Sequence, residues 1–278
     1  MIDYKLKQGS WYEVEERCVL RLSGPDRVRY LNGQVSNDVS VDLENKAVPA
    51  CVCSAKGKVE ALVWITAETD ALIVDGELSQ RETLLERFDR YLIADDCEWE
   101  DVTGSRRLFH VLDPNLEGKK TTRLFSPGTD LWTTSDTPDF LDDSLKLSSR
   151  TVEEAELLSL IPKAGYEING ESFPAELGLD KIAVSFEKGC YLGQEVVSRI
   201  KSVGRTRGEL VLIAADNEIS RDSIVRIDDN GEGRTTRKAL ELQEKIWIAP
   251  ALLSSKTSKG QQTEIQQVTR LFHNLTTY

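Results

Sequence analysis

Apolar and polar positions divide the chain into short strands and a few amphipathic helices. Residues 18–22 (Cys-Val-Leu-Arg-Leu) have the alternation of a half-buried strand. Ser23-Gly-Pro-Asp26 then offers a helix start, with a capping Ser or Gly and Pro in the first turn. Val28 and Leu31 share one face of the short helix that follows, which runs into the polar loop Asn32-Gly-Gln-Val-Ser-Asn-Asp38. Two strand-like runs, 47–54 and 58–66, are joined by Ser54-Ala-Lys-Gly57, and 71–75 is a further strand. Ser79-Gln-Arg-Glu82 has the pattern of a capping box, and Leu84, Leu85, Phe88, Tyr91 and Leu92 follow at helical spacing. With strands at 97–103 and 108–112, this predicts an antiparallel sheet with a packed helix, an α+β unit.

Residues 113–149 are turn-rich, with one strand at 131–134. Thr151-Val-Glu-Glu154 is a second capping-box pattern, ahead of Ala155, Leu158 and Leu160, and Pro162 ends that helix. Beyond Gly204 the strands are short (209–214, 223–227, 245–249), and Asn230-Gly231 signals a tight hairpin. That rhythm predicts a small antiparallel β-barrel.

Composition narrows the class. The chain has 278 residues, 40% hydrophobic and 29% charged, enough for two or three compact units of an ordinary soluble protein. No apolar run approaches a membrane span, and the first residues have neither a signal core nor a transit pattern, so the expected location is the cytoplasm of a bacterium. A net charge of −12 argues against general binding to nucleic acid or to an anionic membrane. One stretch runs the other way: Arg199, Lys201, Arg205 and Arg207 oppose only Glu195 between residues 189 and 208. Such a patch suits an anionic ligand, or simply a solvated face. Five cysteines without Cys-x-x-Cys spacing read as reduced thiols, and two unpaired histidines disfavour a zinc enzyme or a His-based triad.

The chemistry concentrates in Lys188-Gly-Cys-Tyr-Leu-Gly-Gln-Glu195. Gly189 and Gly193 bracket Cys190, permitting positive φ or a close approach of another group to the backbone. A helix start after Cys190 and the ammonium of Lys188 both favour the thiolate, while Glu195 opposes it. The same residues also suit a buried structural thiol at a strand–turn–helix junction. Both readings stand on the residues alone.

Lys-Gly-Cys-Tyr-x-Gly-Gln-Glu resembles the signature of the YgfZ-type folate-binding proteins, relatives of the glycine cleavage T-protein (aminomethyltransferase) that include iron–sulfur assembly factors. Further segments extend the resemblance: Arg29-Tyr-Leu-Asn-Gly-Gln-Val-Ser-Asn-Asp38-Val39 is similar to the family's early motif, Ser54-Ala-Lys-Gly-Lys-Val59 to its second, and Phe173-Pro-Ala-Glu-Leu-Gly-Leu179 to its Pro-x-Glu-x-Gly-Leu segment.

The resemblance implies an α+β fold: two α+β units, one ferredoxin-like at about 58–150, within a folate-binding region 1–203, and a C-terminal antiparallel β-barrel at 204–278, all around a central channel. It implies tetrahydrofolate or a related reduced folate as ligand, and iron–sulfur proteins or their assembly machinery as partners. Cys190 becomes the functional thiol, with Lys188 favouring its thiolate. Asn37, Asp38, Glu60, Glu176, Tyr191, Gln194 and Glu195 become the ligand residues, Glu176 pairing with the amidine edge of the pterin.

Two departures bear on activity. The transferases carry Gly-Gly-Ile-x-Asp-Asp where this chain has Lys58-Val-Glu60-Ala61, so at most one carboxylate survives. Their Arg-x-x-x-Gly-Ile-Pro becomes Glu156-Leu-Leu-Ser-Leu160-Ile-Pro162, reversing a charge and replacing a glycine. An accessory protein for iron–sulfur protein assembly or repair is therefore expected ahead of a folate-dependent aminomethyltransferase. A docking protein with a vestigial channel is the third alternative.

Overall fold

A computed structural model of the chain describes residues 5–124, 126–134, 138–226, 232–243, 245–254, 266–267, 269–270 and 276–277. Its largest core is built on a five-stranded antiparallel sheet. The spatial order is Ala47–Cys53, Val59–Ala67, Ala71–Glu77, Arg17–Ser23, Glu98–Asp101. Helices α1 (Arg27–Gln34) and α2 (Arg81–Tyr91) cover one face, where Leu31, Leu84 and Phe88 pack on Leu20, Leu22, Val63 and Val74. On the opposite face Cys51, Cys53, Leu62 and Trp64 meet Ile168, Leu177 and Leu179. Burial on both faces explains why Ala47–Cys53, Val59–Ala67 and Ala71–Glu77 are near-continuously buried rather than strictly alternating.

A second sheet has the order Trp11–Glu13, Arg107–Val111, Gly128–Thr133, Lys119–Thr121. Helix α3 (Ser149–Leu158) packs on it through Ala155, against Tyr12, Leu112 and Leu124. The stretch 58–150, expected as one ferredoxin-like unit, thus divides between two sheets: 98–101 joins the first, and 107–111 the second. The third sheet is centred on Gly208–Ala215 and Ile246–Ser254, with Glu232–Thr235 and Ile224–Arg226 continuing outward. Its path is open at both ends among the described residues, so the expected barrel closure is not found. The Asn230-Gly231 turn lies outside the described residues. Helix α4 (Gln194–Val203) begins at the Cys190 loop and ends at Gly204, whose φ of 66° gives the left-handed C-cap for which glycine is favoured.

Two helix starts differ from expectation. Ser148, not Thr151, caps α3, its side chain accepting from the backbone N–H of Thr151. Ser79 falls inside a 3₁₀ turn, Leu78–Gln80, so α2 begins without a side-chain cap. In both cases an extra turn or an earlier polar residue takes the entry position.

A buried charge network joins the first two sheets. Arg17 donates to Asp75 at 2.6 Å, Arg123 bridges Asp75 and Asp130, and His110 Nδ1 lies 2.8 Å from Asp130. Asp75, Arg123, Asp130 and His110 are all buried, and the guanidinium carbons of Arg123 and Arg17 lie 4.9 and 5.5 Å from the centre of the Trp64 ring. Burial raises the Asp130 carboxyl, but Arg123 and His110 more than reverse that, leaving it below the ordinary carboxylate range.

Candidate functional site

The motif loop 183–193 is strapped to the last turn of α1 and the polar loop that follows it. Ser185 N–H donates to the Ser36 carbonyl at 3.0 Å, and Leu192 N–H donates to that of Gly33 at 3.1 Å. The Ser36 hydroxyl donates to the Ala183 carbonyl and accepts from Cys51 N–H at 2.8 Å. The centre of the strap is Lys188, which is only 9% exposed. Its Nζ donates to the carbonyls of Asn32 (2.7 Å), Val35 (2.8 Å) and Asn37 (2.6 Å), which uses all three N–H donors of an ammonium. Burial pulls its pKa down to about 8, with Asp38 opposing. Lys188 is therefore an anchor of the loop, with its charge directed into backbone carbonyls.

Two residues along, Cys190 is exposed. The other four cysteines are not: Cys18, Cys51 and Cys53 are buried and Cys97 is half-buried. The buried-thiol alternative for Cys190 is thereby set aside. Of the bracketing glycines, Gly193 is required, since its φ is +86° and an added Cβ would strike the Ser54 carbonyl. Gly189 has open space around it and an ordinary φ. Gly193 thus lets the start of α4 seat directly on the Ser54–Gly57 turn.

Tyr191 turns inward. It is buried, its ring lies 5.4 Å from Lys188 Nζ, and its hydroxyl has no hydrogen-bond partner. Burial raises the phenol, reinforced by Cys53 and Cys51 beneath it. Cys53 is itself raised, by a hydrogen bond with Cys51 and by burial, so it remains a thiol. Gln194 accepts from Tyr191 N–H at 3.3 Å, closing the turn, and Glu195 is exposed in the first turn of α4, where a carboxylate favours the helix dipole.

The remaining predicted residues are placed unevenly. Asn37 donates its amide to the carbonyls of Pro49 (2.8 Å) and Ile182 (3.4 Å), tying the polar loop to both the sheet and the motif segment. Asp38 accepts from the hydroxyl (2.6 Å) and N–H (2.9 Å) of Ser40, bonds that lower its pKa, with Lys188 adding to them. Glu176 is buried in the turn Pro174–Leu177, and one of its oxygens accepts from Phe173 N–H at 2.9 Å. That turn is joined to the sheet where Val59 N–H donates to the Ser172 carbonyl. Glu60 is set apart. It is the extra residue at an irregularity between the first two strands, 3.6 Å from Arg87 of α2. Arg87 itself bonds Gln34 and the Cys53 carbonyl.

Trp64 was not foreseen. It is 6% exposed, its indole N–H is buried without a partner, and it lies on the same face as Cys51 and Cys53. An indole in a strand whose other large apolar residues are Leu, Val and Ile was the available signal. Orphaned donors on Tyr191 and Trp64 suit a ligand with hydrogen-bond acceptors. Among the described residues no group of three or more His, Cys, Asp or Glu is arranged to hold a metal ion. Nor is any helix among them long and apolar enough to cross a membrane.

No family model matches the chain. It is similar to curated proteins named tRNA-modifying protein YgfZ. The Aliivibrio fischeri relative is 25% identical over 281 residues, covering 92% of this chain and 88% of the relative. The Sodalis glossinidius relative is 28% identical over 274 residues, covering 86% and 83%. Among solved structures, the glycine cleavage system aminomethyltransferase T of Bartonella henselae superposes with a TM-score of 0.71 at 11% identity, covering 90% of this chain and 79% of that one. By sequence the chain is similar to the YgfZ proteins, and by fold it shares the mixed architecture of the aminomethyltransferase T-protein.

Proposed function

We propose that this protein binds tetrahydrofolate or a related reduced folate in the cytoplasm and supports the assembly or repair of iron–sulfur proteins, with Cys190 as its functional thiol. One observation carries the reading. Of five cysteines, the single exposed one sits on a loop that a buried lysine fixes to the neighbouring polar loop through three carbonyls. Exposure makes the sulfur available to a partner, and the anchor holds it in a set place.

The chain's residues divide the work. Lys188, Asn37 and Ser36 hold the loop, and Gln194 fixes the turn after Cys190. Tyr191, Trp64 and the remaining oxygen of Glu176 are the groups that would receive the pterin. When bound, the folate supplies a carrier for one-carbon units. The name shared by the relatives places them in tRNA modification. In this acidic chain that role would run through iron–sulfur client proteins rather than through direct RNA contact. Glu60, 3.6 Å from Arg87, is the one carboxylate left where the transferases carry an Asp pair, which weighs against aminomethyl transfer.

The test has two arms. Calorimetric titration with tetrahydrofolate should give saturable heat that Tyr191→Phe weakens, and Cys190→Ala should bind the folate as wild type does. In a strain lacking its own family member, Cys190→Ala should fail to restore iron–sulfur enzyme activity. Absence of heat at millimolar folate would remove the ligand, and full rescue by Cys190→Ala would remove the thiol.

A further inference from the structure

We infer that a second small-molecule site, separate from the Cys190 loop, lies at the C-terminal end of α4 and takes an amphipathic anion: an apolar body bearing a carboxylate, phosphate or sulfonate. The cavity there has a volume of about 560 Å³, within the ordinary range for small-ligand pockets. It is walled by the end of α3, the 174–181 turns, the last residues of α4 and the strand Gly208–Ala215.

The cavity and the folate-type residues occupy opposite sides of one segment. Along the two 3₁₀ turns, Pro174–Leu177 and Leu179–Lys181, Ala175, Leu177, Gly178, Asp180 and Lys181 line the cavity while Glu176 and Leu179 do not. No residue assigned above to the Cys190 site is among its lining residues. The floor is apolar, made by Leu177, Leu210, Leu212 and Leu160. Leu160 contributes at a conformational cost, for its φ is +51°, the left-handed region that a branched side chain rarely adopts. Its side chain packs against two of the buried clusters, so it extends a wall where a glycine would leave a gap.

Charge supplies the ligand's sign. At this cavity Lys181, Lys201 and Arg205 outnumber Asp180 and Glu209. The cavity of about 420 Å³ beside Tyr12 has the reverse balance, six glutamates against Arg17, Lys146 and Lys163. The cavity of about 690 Å³ beside Leu43 has four acids against Lys119. In a chain of net charge −12, an anion is drawn to the first and repelled by the other two. An apolar floor beneath cationic groups is the complement of a molecule with a greasy body and an acidic head.

The test uses 8-anilinonaphthalene-1-sulfonate and its uncharged analogue N-phenyl-1-naphthylamine as probes on the full chain, read by fluorescence, with octanoate as competitor. Both probes should bind, and octanoate should displace the sulfonate. Ala175→Trp, which fills the cavity, should abolish binding of both. The double variant Lys181→Ala/Arg205→Ala should weaken the sulfonate about tenfold, the scale of one lost charge-assisted bond, and leave the neutral probe nearly unchanged. Circular-dichroism melts confirm folding, and Ala175→Leu replaces Ala175→Trp if the larger side chain is not accommodated. Sulfonate binding indifferent to the filling variant, or equal loss of charged and neutral probes in the double variant, would overturn the site.

Discussion

Two of the cations this molecule buries, Arg123 and Lys188, are held differently. Between the first two sheets, Arg123 lies between two carboxylates, with Arg17 and His110 completing the network. In the motif loop, Lys188 enters a nest of neutral carbonyls, and the acid whose charge acts on it, Asp38, accepts from Ser40. A cation between counter-charges welds two sheets together. A cation among carbonyls fixes a loop whose tip remains in water. The first arrangement makes a frame, and the second presents a thiol on it.

The sharpest break comes at the frame. Arg123→Met leaves Asp75 and Asp130 facing each other in a buried junction, which should cost about 3–5 kcal/mol and lower the melting temperature by on the order of 10 °C. The pH dependence identifies the cause. In the wild type Asp130 has a depressed pKa, so its contribution is complete above the unfolded value of about 3.9 and is lost as pH falls through the lower native value. Without Arg123, burial dominates and the native carboxyl prefers its proton. The stability gap between variant and wild type should therefore narrow on acidification. Urea denaturation at several pH values measures that gap, and a constant gap would mean that packing around Trp64 carries the effect.

Lys188→Met should cost less, about 2–3 kcal/mol, and act locally. Hydrogen exchange should show protection lost at the amides of Ser185 and Leu192, while the junction strands keep theirs. Lys188→Arg should not restore it, because a planar guanidinium cannot satisfy three carbonyls converging on one point. The native pKa of about 8 lies below the unfolded value of about 10.4, so between them the unfolded chain holds the extra proton. The wild type's stability should rise with pH across that interval, and Lys188→Met should flatten the rise.

The sequence exposed these two regions unequally. Strands and helices were legible because their cores are local: Leu84 and Phe88 repeat at helical spacing on α2, and both are buried. The motif was legible because its glycines and lysine lie within six residues. The frame was not, because Arg17, Asp75, His110, Arg123 and Asp130 come from five separate segments, and no spacing rule joins them. The sheet boundary between 101 and 107 was hidden for a similar reason. Two adjacent strands with ordinary patterning give no sign that they belong to different sheets. The glycine expected at 160 marked a real feature, a left-handed backbone position, but not that a leucine would adopt it.

Leu160→Gly tests that last point, with a smaller effect expected. Releasing a left-handed leucine returns about 1–2 kcal/mol. Losing its half-buried side chain and loosening the unfolded chain remove about as much or slightly more. Urea denaturation should find a net change within about 1 kcal/mol. A clear stabilisation would mean that Leu160 contributes little packing, and that the strain is retained for the cavity it walls.

The smallest effect on stability should be at Cys190 itself, where the two regions differ most. An exposed side chain at the tip of an anchored loop holds nothing else in place, so Cys190→Ala should change stability by no more than about 0.5 kcal/mol. Chemical reactivity should show the opposite ranking. Cys18 and Cys97 are each pushed up to about 11, chiefly by burial, and Cys53 is raised by Cys51 and burial. Cys51 is fully enclosed. Brief treatment of the folded protein with iodoacetamide should therefore give one adduct, at Cys190, by peptide mass spectrometry, and the other four thiols should react only after denaturation. In Lys188→Met the adduct should still form at Cys190 alone, because the anchor sets the thiol's place rather than its access. If labelling spread to Cys51 or Cys53 in that variant, the loop would also be the lid over the sheet face where Tyr191 and Trp64 keep their unpartnered donors.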